Sequence, residues 1–206
     1  MTVLQEPPER QPALRRLFDI VIAGGALILL SPLFALLALA IVLESRGGVF
    51  YRQKRLGKDE APFEILKFRS MRPAAPGEET VQTQIEDMDA FVFRPVGRVT
   101  RVGKLLRASS LDELPNLINV LRGEMSIVGP RPDEPELVAQ YRPEWRRRHR
   151  VKPGITGLAQ INGRTDLTYS EMMAYDLDYV DRHPFWRDVQ IMLKTFGVVL
   201  RREGAR

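Results

Sequence analysis

Ile20-Val-Ile-Ala-Gly-Gly-Ala-Leu-Ile-Leu-Leu-Ser-Pro-Leu-Phe-Ala-Leu-Leu-Ala-Leu-Ala-Ile-Val-Leu43 carries no charge. It has about the length a helix needs to cross a bilayer. A secretory signal peptide fits it poorly: the apolar region is too long, and no small-residue cleavage site follows. A helix in a soluble core is rarely apolar on every face. Ser31-Pro32 stands in the middle of the run. Proline removes a backbone donor and clashes with the turn before it, so the helix kinks there. The serine hydroxyl can satisfy a freed backbone group where there is no water to do so. Basic residues flank both ends, Arg15 and Arg16 before the run and Arg46, Arg52, Lys54 and Arg55 after it. The positive-inside rule therefore gives no direction. A re-entrant hairpin with both ends on one face accounts for the break and the flanks together. A straight spanning helix with a proline kink is the alternative.

Before this segment, residues 1–13 hold three prolines and mixed charge and read as a flexible leader. Residues 14–45 read as the re-entrant anchor and 46–206 as one domain beyond it. With 206 residues, the chain is long enough for one domain with a real core plus an anchor. Thirty-one Lys and Arg against 26 Asp and Glu give a net charge of +5, which suits anionic lipid, phosphorylated substrates or nucleic acid. The absence of cysteine excludes disulfides, thiolate metal sites and a cysteine nucleophile, and two distant histidines exclude a multi-histidine metal site within one chain. Any chemistry therefore falls to carboxylates, cations and a hard metal ion.

Partial alternation and aromatic content near 49–54 and 63–69, around Gly57, predict a β-hairpin. Lys67 and Arg69 would share a face of its second strand, either as a phosphate clamp or as a solvated edge. The acid-rich stretch from Pro73 to Asp89 reads as a solvated loop. Arg98, Arg101, Lys104 and Arg107 recur at spacing three and would form one helical stripe, facing phosphate, lipid or solvent. Ser110-Leu-Asp-Glu113 fits a capping box, which would by itself explain Asp112 and Glu113. A carboxylate at a helix start is also held in its ionised form, which suits a nucleophile or metal ligand. Two adjacent acids can divide the roles, one attacking and the other moving a proton. Leu114, Leu117, Ile118 and Leu121 give the following helix an apolar face, and Gly123 can stop it. Gly129-Pro130-Arg131-Pro132 holds Arg131 in an extended pose suited to phosphate. Further on, the basic run Trp145-Arg-Arg-Arg-His-Arg150 suits lipid headgroups, or nucleic acid if taken alone. Asp176, Asp178 and Asp181 read as helix surface and caps. The final helix, from Arg187 to about Arg201, reads as interfacial, with a core-packed helix as the alternative.

Taken together, the chain resembles the bacterial sugar transferase family, the monotopic phosphoglycosyl transferases. The stretches that carry this resemblance are Arg16-Leu-Phe-Asp with the apolar run and Ser31-Pro32; Lys67-Phe-Arg-Ser-Met; Arg107 through Leu-Asp-Glu-Leu; Ser126-Ile-Val-Gly-Pro-Arg-Pro; Val151-Lys-Pro-Gly-Ile-Thr-Gly; and Ala159-Gln-Ile-Asn-Gly-Arg164. They come in the family's order from about residue 14 onward. The resemblance implies a mostly helical α+β fold: a re-entrant helix-break-helix, a short hairpin, and interfacial amphipathic helices around a compact catalytic domain. It places that domain on the cytoplasmic face of the bacterial inner membrane. It implies that Asp112 attacks the β-phosphate of a nucleotide sugar, most often a UDP-sugar. A nucleoside monophosphate leaves, and an aspartyl phosphosugar passes its phosphosugar to polyprenyl phosphate.

By the same resemblance Glu113 handles a proton, and Mg²⁺ binds at Asp112. Lys67, Arg69, Arg107 and Arg164 are substrate-binding candidates, as is the Pro130, Arg131 and Pro132 turn. The partners implied are a nucleotide sugar, polyprenyl phosphate and the bilayer, with no nucleic acid; a homodimer is left open. Leu158 stands where many members have tryptophan, and the chain reads as the minimal catalytic unit. The reading from a different class is a membrane-anchored basic binding module without catalysis.

Overall fold

The computed structural model describes residues 13–73, 98–163, 167–182 and 184–201. The leader, the acid-rich stretch from residue 74 on, and Arg164 lie outside the described residues. What is described is mostly helical with two small sheets.

The apolar run forms two helices, α1 (Ala13–Leu29) and α2 (Ser31–Glu44), bent by 62° at Leu30. No single described helix is long and apolar enough to cross a membrane, but the bent pair together has the length and composition. Pro32 has no N–H to offer the carbonyl four residues back, that of Ile28. The Ser31 hydroxyl donates to that carbonyl at 2.8 Å, so the break leaves it satisfied.

α1 is fixed to the rest of the molecule by its charged residues. Arg15 pairs with Asp188 at 2.7 Å. Asp19, 1% exposed, accepts from the Ser126 hydroxyl and the Ile127 N–H. Arg16 donates to the Val120 and Leu121 carbonyls. Arg15 and Arg16 are the basic flank before the apolar run, and in the fold they and Asp19 tie α1 to distant segments. The opposite faces of the pair stay bare: Ile28 and Leu29 are each 78% exposed, and Leu43 is 76% exposed.

The hairpin is β1 (Phe50–Leu56) and β2 (Pro62–Phe68), antiparallel with Tyr51 opposite Lys67. Helix α3 (Arg101–Ala108) follows, with Thr100 as its N-cap. α4 (Asn116–Arg122) comes next and ends at Gly123, in a left-handed conformation with φ 85°. Then β3 (Ser126–Val128) lies parallel to β4 (Gly154–Thr156), a pairing not apparent in the sequence. Glycine makes it feasible. A Cβ on Gly154 would sit 2.1 Å from the Gly129 nitrogen, and one on Gly129 would sit 2.4 Å from the Lys152 carbonyl oxygen. The remaining helices are α5 (Pro135–Val138), α6 (Leu158–Ile161), α7 (Tyr169–Asp181) and α8 (Phe185–Arg201).

Ala23, Ile65, Leu117, Val120, Ile127, Tyr179 and Ile191 form the main core, so α1, β2, α4, β3, α7 and α8 meet there. A second cluster, Leu37, Ile41, Phe68 and Leu106, joins α2 to β2 and α3. α8 buries Ile191, as the core-packed reading of the last helix expects, and leaves Trp186 72% exposed.

Candidate active site

The expected capping box does not form. Ser110 is left-handed (φ 56°) and gives no side-chain cap. Leu111–Glu113 make a single 3-10 turn, Pro115 occupies the N-cap position, and the α-helix begins at Asn116. Released from capping, the Glu113 carboxylate turns outward to two cations. One of its oxygens, Oε1, accepts from Lys67 Nζ at 2.8 Å and from Arg131 Nη2 at 2.8 Å. The other, Oε2, accepts from the Asn116 amide at 2.5 Å. Burial would raise its carboxyl, but Arg131 and Lys67 outweigh it and hold Glu113 far below the usual carboxylate range.

The geometry follows from how the elements are tied together. Asn119, fully buried on α4, accepts from the Leu66 N–H at 3.0 Å and donates to the Glu64 carbonyl at 2.7 Å. It behaves as a further strand along the edge of β2 and sets Lys67 over Glu113. Arg131 arrives from the end of β3, whose Gly129 N–H bonds the Thr156 carbonyl of β4. Asn116 and Asn119 were not singled out as site residues. Their signal was there: two amides, three apart, on an otherwise apolar helical face.

Asp112 is placed differently. Its carboxylate makes no hydrogen bond or ion pair among the described residues, although Glu113, Lys67, Arg131 and Arg107 all act on its charge. Burial, and then the neighbouring Glu113, push its carboxyl above the usual 3.8, while the three cations pull the other way. The helix start therefore does not decide its charge state.

Arg107 donates to the Ser70 hydroxyl at 3.1 Å from the side of α3, within electrostatic reach of Asp112. Arg69 is not brought to this site. Its guanidinium donates to the carbonyls of Ser45 and Arg46, at 2.7 and 2.8 Å, and holds the end of α2. Although it is two residues from Lys67, it sits past the last residue of β2, where strand alternation no longer governs its direction. Pro130 and Pro132 flank Arg131 as expected, and Gly154 N–H bonds the Pro130 carbonyl at 2.9 Å.

Two further readings change in the fold. The basic run at 143–150 is a 3-10 helix with Trp145, Arg148 and His149 buried, so three of its residues face inward. Asp176 is 1% exposed, the reverse of a surface or cap residue.

No described group of three or more His, Asp or Glu converges as a metal cage. A magnesium ion needs only one or two carboxylates when substrate phosphates and water complete its shell. The unpaired Asp112 carboxylate fits that demand; Glu113, already bonded on both oxygens, does not.

This arrangement can receive a phosphorylated substrate between Lys67, Arg107 and Arg131 and present it to a free carboxylate. Sequence comparison supplies the family. The model of the bacterial sugar transferase family matches residues 10–202. A Caulobacter vibrioides protein named UDP-glucose:undecaprenyl-phosphate glucose-1-phosphate transferase is 42% identical over 93% of this chain and 71% of its own. The Escherichia coli K12 protein of the same name is 45% identical over 88% of this chain and 39% of its own. The exopolysaccharide production protein ExoY of Rhizobium meliloti is 39% identical over 93% of this chain and 87% of its own. By the match along nearly its whole length, this chain belongs to the bacterial sugar transferase family.

Proposed function

We propose that the chain transfers a phosphosugar from a UDP-sugar to a polyprenyl phosphate at a membrane surface. The observation that carries this reading is the asymmetry of the two acids. Glu113 is neutralised by Lys67 and Arg131, while Asp112 is left unbonded among cations. Relatives named for glucose-1-phosphate transfer to undecaprenyl phosphate support the substrate class.

The chemistry follows from charge and position. An Asp112 oxygen attacks the phosphorus that bears the sugar. The bond from that phosphorus to the bridging oxygen breaks, and UMP leaves with the electron pair. Lys67, Arg107 and Arg131 neutralise the diphosphate. An oxygen of polyprenyl phosphate then attacks the same phosphorus and releases the Asp112 carboxylate. Glu113 begins as a weak base because it is ion-paired. Once Lys67 and Arg131 turn to phosphate oxygens, its affinity for a proton rises, and it can take one from the incoming acceptor. Asp112 would hold Mg²⁺ together with the substrate phosphates, and the ion would supply charge neutralisation at the oxygens of the transferred group.

We further propose that the α1–α2 pair is a re-entrant anchor, with both ends and the site on the cytoplasmic face; its 62° bend and bare apolar side support that reading. Purified chain incubated with a UDP-sugar and Mg²⁺ should gain a phosphosugar mass, and Asp112→Asn should gain none. If that variant retains turnover, Asp112 is not the nucleophile; if the wild-type chain neither gains the mass nor releases UMP, the binding-module reading takes over.

A further inference from the structure

Behind the Pro130–Pro132 turn lies a buried polar cluster that the reaction scheme leaves unused. Arg148, whose side chain is 1% exposed, donates from Nη2 to the Arg131 carbonyl at 2.6 Å and to Asp176 Oδ2 at 2.6 Å. Its Nη1 pairs with Asp133 and bonds the Tyr141 hydroxyl. Tyr141 and Tyr169 both donate to the same Asp133 oxygen. Asp133 follows Pro132 directly, and its carbonyl accepts from the Leu56 N–H of the hairpin at 3.0 Å. One guanidinium thus grips the turn through a main-chain oxygen of Arg131 and through the side chain of Asp133. Asp176 anchors it from α7.

A planar fork that fills four bonds at fixed angles specifies a position; an ammonium would satisfy fewer of them and could shift. Buried charges are costly unless paired, and both terminal nitrogens of Arg148 are bonded twice, so the guanidinium is held firmly. We infer that Arg148, held by Asp176, is a positioning residue for the donor half of the reaction: it sets the Arg131 backbone, and so the guanidinium that receives the nucleotide diphosphate. This rests on the proposed phosphosugar transfer. Arg148 touches no substrate in this scheme and acts only through Arg131.

The test is a double-mutant cycle on the full chain in lipid nanodiscs, reading kcat/KM separately for the UDP-sugar and for polyprenyl phosphate. Arg148→Lys should lower the UDP-sugar value on the order of tenfold to a hundredfold, the cost of a small misplacement. The polyprenyl phosphate value should fall clearly less, since Arg131 reaches that half-reaction only through Glu113. In an Arg131→Ala background the same substitution should cost nothing further. Asp176→Asn, which keeps shape and leaves Arg148 in place, should repeat the pattern more weakly, and it decides the matter if Arg148→Lys does not fold. Equal losses in both half-reactions, or an undiminished loss in the Arg131→Ala background, would mean that the cluster only supports folding. If wild-type chain releases no UMP from any UDP-sugar, the transferase reading itself fails, a result distinct from either.

Discussion

Replacing Asp112 with asparagine removes a negative charge beside Glu113 and no described hydrogen bond. Its stability should therefore change by no more than about 0.5 kcal/mol, measured by urea denaturation, while turnover is lost. A drop of several kcal/mol would instead return the residue to a structural role. The direction of its titration gives a second expectation. Asp112 must be ionised to attack, and its carboxyl is raised above 3.8 by burial and by Glu113. The proton stays on to higher pH, so activity should climb with pH through the raised value. The acid limb of kcat/KM for the UDP-sugar, which reports the free enzyme, should lie above pH 3.8. A limb at or below that value would show that the surrounding cations, or Mg²⁺ held at Asp112, outweigh its burial. The adjacent acids and, by resemblance, their roles were legible in the sequence, but the contacts that set them apart were not. Those contacts come from Lys67 and Arg131, which are 46 and 18 positions from Glu113.

At the scale of elements, the break between α1 and α2 rests on Pro32 and on the Ser31 hydroxyl that covers the carbonyl of Ile28. Pro32→Ala restores an N–H four residues from that carbonyl, and the two helices can then join. Single cysteines placed at Ala13 and Ser45 in wild-type chain should react with a membrane-impermeant reagent from the same side. In Pro32→Ala they should begin to report opposite sides. Wild-type labelling from opposite sides would rule out the hairpin. The break was readable because a proline's effect is local. The parallel pairing of β3 with β4 was not, since each strand is only three residues long and the two are joined by 25 residues of helix and turn. Nothing in either stretch announces the other except the glycines that let them approach.

Across the whole molecule, bare apolar side chains gather on α1 and α2, with Leu14, Leu17, Val21, Ile28, Leu36 and Leu43 among them. Trp186 and Leu193 on α8 add to the exposed apolar surface. Exposed apolar area on this scale marks an interaction surface, and its proposed occupant is a bilayer. The chain should remain with membranes through a 1 M salt wash, at which the Debye length falls to about 3 Å and surface charge is screened. Detergent should release it. Release by salt alone, followed in the pelleted fraction, would make the attachment electrostatic and undercut the anchor.

What the sequence determined by itself is what short-range chemistry controls: a kink at Ser31-Pro32, a helix stop at Gly123, a hairpin around Gly57, a rigid turn about Arg131, and an acidic pair with nothing but cations and carboxylates to work with. The ordered motifs added the family. Tertiary structure alone decided which charges face inward. Arg15, Arg148 and Asp176 carry the same formal charge as any surface residue, and a linear pattern reads them as flank, headgroup contact and cap; Asp19 it leaves without a structural role. A charge is tolerated in the interior only when distant segments bring it partners, and those partners, Asp188, Ser126, Asp133 and Arg148, are fixed by the fold rather than by neighbours in the chain.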